Sequence, residues 1–311
     1  MLLHVVHETV YEYAPPVGTA LHMAHLRPAY RDGQRLLRHE LRIDPVPAQR
    51  SESVDVFGNT RTFFGLPASH ARLRVVAESV VATAAPAPPG GRLAWEDARE
   101  RLRYHPGAGH DPAAEFAFAS PYVPRHEDFA TYARPSFTPG RPLIEAAREL
   151  SARIHRDFAY VSQATDASTP ALQALALRRG VCQDFAHVML GCLRSLGLAA
   201  RYVSGYLLTE PPPGRSRLVG SDASHAWVSV YLPAEAGRGC WADLDPTNDR
   251  APGEDYVRLA VGRDYSDVSP IRGVIHGGAQ HTLRVAVTVA PVQAAAAAAS
   301  TIPDPTSKES R

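Results

Sequence analysis

A cysteine, a histidine and an aspartate stand in this chain in the settings that thiol chemistry requires. They are Cys182 in RRGVCQDFAHVMLGCLRSLG, His225 in SDASHAWVSVYL and Asp245 in CWADLDPTND. A thiol is a weak nucleophile until it loses its proton, so it needs a base, and the base needs a partner that fixes its ring. Gly180 interrupts the chain ahead of Cys182, and Phe185, Val188, Cys192 and Leu196 then recur at helical spacing up to a stop at Gly197. That pattern predicts a buried helix with Cys182 in its first turn, where unpaired N–H groups and the positive end of the dipole favour a thiolate. AARYVSGYLL, HAWVSVYL and CWADLD read as three strands, His225 opening the second and Asp245 closing the third. Pairing of those two strands brings imidazole and carboxylate within reach of each other.

Neighbouring residues offer alternatives for each role. Asp243 shares a strand face with Asp245 and is the rival orienting carboxylate. The Cys182 backbone N–H is a candidate oxyanion donor, with Gln183 a weaker candidate for a second. His187 lies five residues past Cys182, roughly 500° round the helix, and so reads as structural. Cys192 and Cys240 lack any such context and also read as structural. The closest approaches to metal-ligand spacing are His22 with His25 and Cys182 with His187; neither has a second half-site, and HExxH is absent. No metal and no cofactor is expected, and phosphate-loop and dinucleotide fingerprints are missing.

The chain that must position these groups has 311 residues, 45% hydrophobic and 21% charged, enough for about two globular domains. A formal net charge of +1 gives no reason to expect a nucleic-acid partner. No apolar run approaches the ~20 residues of a membrane span. MLLHVVHETVYEY alternates like a strand and does not read as a signal peptide. Three cysteines, an odd number, fit a reducing compartment, so a cytoplasmic location is expected.

Residues 1–84 read as a β-rich domain, with HVVHETVYEY, LLRHELRIDP, SVDVFGNTRTFF and LRVVAESVVAT as strands packed in a sandwich. A Pro- and Gly-rich linker follows at 85–92, then the core at 93–290 and a low-complexity tail at 291–311. Within the core, Leu143, Ala146, Leu150 and Ile154 mark one helix, and TPALQALALRRG a shorter one. A last strand, HTLRVAVTV, pairs either with the N-terminal sheet or with the core. The loop at 209–222 is expected to shape a cleft.

GVCQDFAH, SHAWVSVYL and WADLDPTN resemble the three core motifs of the transglutaminase-like superfamily, in chain order Cys, His, Asp. HETVYEYAPPV, DVFGN around Asp55 and VGRDYSDVSPIRG at 261–273 resemble its bacterial branch, which carries its own N-terminal domain. The likeness covers most of residues 1–290. It implies an α+β fold: a papain/transglutaminase-like core, with the nucleophile helix on an antiparallel sheet, preceded by a small β-sandwich. It also implies Cys182, His225 and Asp245 as the catalytic residues, and it favours Asp245 over Asp243. One departure stands at Asp255-Tyr256-Val257, where a His is expected in this branch. Calcium serves some relatives, but no acidic loop is present to hold it.

The implied activity is cleavage or transfer of a peptide, isopeptide or glutamine-type amide through a Cys182 thioester. Hydrolysis by a cysteine peptidase or amidase is favoured over a protein-cross-linking transamidase. A non-catalytic binding module with a vestigial triad is the remaining alternative. The expected partner is a protein or peptide substrate, with neither nucleic acid nor membrane, and the sequence leaves the oligomeric state open.

Overall fold

In the computed structural model, residues 1–87, 90–107, 109, 111–209, 224–234, 239–278 and 280–292 are described. The chain begins with β1 (Leu2–Ala24), β2 (Gln34–Asp44), β3 (Gln49–Val54), β4 (Thr60–Leu66) and β5 (His70–Thr83). Then come α1 (Trp95–Arg101), a 3-10 turn (Pro112–Ala117), α2 (Glu127–Ala133), α3 (Leu143–Asp157), β6 (Ala159–Tyr160), α4 (Ala171–Leu177) and β7 (Arg179–Gly180). The helix α5 (Cys182–Ser195) leads into β8 (Ala200–Leu207), β9 (Ser224–Leu232), β10 (Cys240–Leu244) and β11 (Tyr256–Gly262). A short α6 (Tyr265–Val268), β12 (Ile271–Gly277) and β13 (Gln280–Pro291) follow.

The long first strand organises the N-terminal half. Leu3, Val5, His7 and Thr9 alternate with more exposed neighbours, so one face of β1 is buried. Pro15 and Pro16 cannot donate to a ladder, and the register with β5 skips from Glu12 to Val17 across them. The strand therefore has two halves with different neighbours: β5 and β13 flank the first, β4 and β12 the second. With β2 on β5 and β3 on β4, the result is one curled antiparallel sheet of seven strands. SVDVFGNTRTFF, read above as a single strand, is split by a turn at DVFGN into β3 and β4.

β12 and β13 complete the N-terminal sheet. Of the two pairings open to the last strand, the first is the one formed: Ile271–Gly277 and Gln280–Pro291 pair with β1, so Leu3 faces Pro291. Pairing between residues so far apart leaves no local mark in the sequence. Val287 and Val289 are buried beside Leu3 and Val5, and this apolar burial holds the two ends together.

The second sheet has the order β10-β9-β8-β11. Ala200, Tyr202, Ala226, Val228, Val230 and Ala242 share one apolar cluster with Phe185, Val188, Met189, Cys192 and Leu193 of α5. This is the expected α+β arrangement, a helix begun by the cysteine and laid across an antiparallel sheet. Leu143, Ala146, Leu150 and Ile154, the face predicted for α3, are buried in the same cluster. The two sheets also meet: Tyr206, Val257 and Leu259 of β8 and β11 join the N-terminal core.

Candidate active site

The helix that begins at Cys182 is set by what precedes it. α4 ends at Arg178 in the left-handed region, φ 53°, and β7 then pairs in parallel with β6 before the chain turns into α5. The Asp184 carboxylate folds back over that turn, accepting from the Val181 N–H at 2.8 Å and the Thr165 hydroxyl at 2.6 Å. Burial pushes the Asp184 carboxyl up, against the pull of those two hydrogen bonds. A Cβ on Gly180 would lie 2.3 Å from Asp184 Oδ2, so only glycine leaves room for this cap. Gly180→Ala will therefore expel the carboxylate and displace Cys182. We expect a loss of about 1–3 kcal/mol in urea unfolding, together with slower alkylation of Cys182; unchanged values in both would show that the cap is dispensable.

Cys182 Sγ lies 4.0 Å from the carbonyl oxygen of Ser224, the residue before His225. The Gln183 side chain does not serve as the second oxyanion donor considered above, because its Nε2 donates to the Ala167 carbonyl at 3.0 Å.

His225 and Asp245 meet because β9 and β10 pair antiparallel from Cys240↔Leu232 to Leu244↔Val228, which brings the end of one strand to the start of the other. Nε2 of His225 is 2.7 Å from Asp245 Oδ2. The carboxylate is fully buried and surrounded by donors: the backbone N–H groups of Thr247 (2.8 Å) and Asn248 (3.3 Å) on Oδ1, Asn248 Nδ2 (2.7 Å) and the Tyr256 hydroxyl (2.8 Å) on Oδ2. Burial alone would raise the Asp245 carboxyl. The hydrogen bond and charge of His225, with the Asn248 and Tyr256 bonds, outweigh burial and hold it below the usual carboxylate range. For His225, burial opposes protonation. The hydrogen bonds with Asp245 and Cys182, and the negative charges on both, overcome it and push the ring up to about 10.

Asp243, the rival carboxylate, is engaged elsewhere. It accepts from Trp227 Nε1 at 2.8 Å and Ser229 Oγ at 2.7 Å, and pairs with Arg258 at 2.6 Å. Trp227 in turn stacks beneath His225, ring centroids 6.1 Å apart, so Asp243 steadies the His225 ring from below. Sequence reasoning missed Asn248 and Tyr256 as partners of Asp245. Asn248 was visible as the last residue of DPTN, whereas Tyr256 lay only within the Asp255-Tyr256-Val257 departure from the expected His.

The remaining candidates fall outside the site. His187 is buried, accepts from the Tyr265 N–H at 3.2 Å and is pushed down to about 4 by burial. Cys192 is buried in the core, which pushes its thiol up, and Cys240 is exposed. The His22 ring stacks on Phe64, while His25 Nδ1 lies 3.1 Å from the Ser269 carbonyl. Among the described residues no three His, Cys, Asp or Glu side chains converge as metal ligands. Of the loop expected to shape the cleft, residues 210–222 lie outside the described residues.

Residues 130–246, which hold all three groups, match the family model of the transglutaminase-like superfamily, and residues 3–82 match the bacterial transglutaminase-like N-terminal region. The chain belongs to the transglutaminase-like superfamily. An uncharacterized protein of Mycobacterium tuberculosis is 41% identical over 93% of this chain and 92% of its own, and one of Mycobacterium leprae is 34% identical over 92% and 98%. A protein-glutamine gamma-glutamyltransferase of Pseudomonas aeruginosa is 36% identical over 101 residues, 32% of this chain and 14% of that protein. A solved structure from Cytophaga hutchinsonii, provisionally assigned as a cysteine protease, superposes with TM-score 0.71 at 19% identity, over 94% of this chain and 91% of the other. It shares the transglutaminase-like fold described here.

Proposed function

We propose that this transglutaminase-like protein is a thiol acyl-transfer enzyme in which Cys182 is the nucleophile, His225 the acid and base, and Asp245 its orienting partner. The observation that carries the reading is the 2.7 Å contact of His225 with a fully buried, five-donor Asp245, placed beside a cysteine that begins a helix. A carboxylate so fully satisfied stays charged and keeps the imidazole in one tautomer. Sγ attacks a carboxamide or peptide carbonyl carbon, forming the S–C bond and an oxyanion. The Asp184 and Phe185 N–H groups are taken by the Val181 carbonyl, which leaves those of Cys182 and Gln183 to receive that oxygen. His225 gives its proton to the departing amine as the C–N bond breaks. Water then attacks the thioester, loses a proton to His225, and the S–C bond breaks to release the acid.

Hydrolysis is the favoured outcome, with a protein or peptide as substrate. Transamidation is the second reading, supported by likeness to a protein-glutamine gamma-glutamyltransferase. The two share every step up to the thioester. Three free cysteines fit a reducing, cytoplasmic setting. Among the described residues no helix is long and apolar enough to cross a membrane.

Glutamine-containing peptides, with and without a fluorescent primary amine, separate the readings. Cys182-dependent release of acid product or ammonia without amine uptake is expected. Amine incorporation at comparable rate would favour transamidation. No Cys182-dependent turnover, together with a Cys182 thiol as slow as an ordinary one, would sink both.

A further inference from the structure

Asp245 meets two strands, and only one of them was anticipated. The His225 strand supplies the base; β11 supplies Tyr256, whose hydroxyl donates to the same Oδ2 that accepts from His225 Nε2. The Tyr256 ring is 4% exposed, edge-on to Trp227 at 5.4 Å and tilted against His225 at 5.9 Å. Burial and then the Asp245 charge push its hydroxyl up, so it remains a donor. The residue lies in Asp255-Tyr256-Val257, the segment where the family resemblance predicts a histidine.

β11 is an edge strand, and edge strands have a row of unpaired backbone groups. Here the N-terminal region fills that row with two side-chain amides. Gln34 Oε1 accepts from the Arg258 N–H at 2.7 Å and Nε2 donates to its carbonyl at 2.8 Å. Asn59 does the same to Val261, accepting from its N–H at 2.8 Å and donating to its carbonyl at 2.7 Å. A bulge between Arg258 and Ala260 turns both residues outward although they are three apart. Each amide thus reproduces the two-bond ring of a strand partner. Asn59 itself is fully buried and fixed by Asp55, which also accepts from the Phe57 and Asn59 N–H groups across the turn at Gly58, φ 82°. DVFGN is the device that presents it.

We infer that Tyr256 is a positioning residue of the Cys182–His225–Asp245 site, and that Gln34 and Asn59 of the N-terminal region hold the strand that delivers it. The inference rests on the thiol-enzyme reading above. A donor on Oδ2 besides His225 fixes the carboxylate in the orientation that holds the imidazole ring toward Cys182. The N-terminal region thereby belongs to the site without touching substrate. Other charges face this group. Arg250 lies over the Tyr256 ring at 4.7 Å and pairs with Asp255, Arg258 pairs with Asp243 behind Trp227, and Cys182 faces His225.

The test is the rate of iodoacetamide alkylation of Cys182 against pH, read by mass spectrometry on the full chain, with Cys240 as internal comparator. Tyr256→Phe keeps the ring and removes only the donor. We expect its Cys182 rate at pH 6.5 to fall by about tenfold, the ratio that follows from losing one hydrogen bond to a charged group, with the profile shifted and the Cys240 rate unchanged. Tyr256→His, which restores a donor, should recover most of the loss. Gln34→Ala and Asn59→Ala should shift the profile in the same direction while the protein stays folded by circular dichroism. A Tyr256→Phe profile that overlays the wild type would overturn the positioning role, as would equal loss in Tyr256→Phe and Tyr256→His. If the wild-type Cys182 rate is itself insensitive to His225→Ala, the thiol-enzyme reading fails instead, and the two failures are told apart.

Discussion

His225→Ala will slow the alkylation of Cys182 at pH 6.5 by on the order of a hundredfold. Without an imidazolium beside it, the sulfur loses the acid–base partner that activates it, a contribution typically on the order of 10²-fold. The imidazolium is the form expected in the folded protein, since Asp245 and Cys182 together push the ring up to about 10. Cys240 is exposed and should react alike in both proteins, and Cys192, fully buried, should react in neither. Asp245→Asn should approach the same loss, because the amide no longer offsets the imidazolium charge. A His225→Ala protein whose Cys182 reacts at the wild-type rate would leave the site with no activated nucleophile.

Acid will unfold this protein at a pH where most of its carboxylates are still ionised. Burial pushes His7, His22, His39 and His187 down to about 4, and most of these rings already spend their nitrogens as neutral groups. His7 contacts the Tyr206 and Thr9 hydroxyls, both at 3.0 Å, and His39 contacts Ser79 at 2.9 Å. The sign follows from the proton count. Above about pH 6.5 neither state binds a proton at these rings; below it the unfolded chain does and the folded protein does not, so stability falls as pH falls, until the folded rings protonate near 4. His7 and His187, each 1% exposed, can each withdraw on the order of 3 kcal/mol by pH 4. Urea midpoints measured from pH 7 to pH 4 should drop steeply below 6.5. His22→Phe should flatten the curve, because that ring stacks on Phe64 and has no hydrogen-bond partner for either nitrogen among the described residues. A flat wild-type curve down to pH 4.5 would disprove the linkage.

His225 carries the opposite sign. Its stabilising contribution is complete below about pH 6.5 and is lost as pH rises through about 10.

The parts of the site that were legible in the sequence are those written by local rules. Gly180, the apolar period after Cys182 and the stop at Gly197 describe α5 almost to its ends, because helix signals are read from neighbours three and four apart. The His225 and Asp245 strands show as alternation, and their pairing needed only a connection between consecutive strands. What stayed hidden depends on contacts between distant segments. Tyr256 reaches Asp245 from a strand whose apolar run says nothing about where its first ring points. Gln34 and Asn59 are single amides in or beside turns, with no periodicity to mark them, and their roles exist only once β11 lies against them. The Gln183 side chain looked available because it follows Cys182; the Ala167 carbonyl that takes its amide is a loop contact no spacing rule foresees.

The pairing of β1 with β13 has a consequence for how the protein is made. Leu3 and Pro291, partners across the ladder, stand at opposite ends of the described residues. Throughout elongation one flank of the first strand can be closed by β5, while the other stays an open template for any strand that passes. Contacts of such sequence separation form slowly, after a large loop-closure penalty. Because Tyr206 and Val257 pack into the cluster that this ladder completes, the sheet that carries His225 is tied to the pairing of the two ends of the described residues.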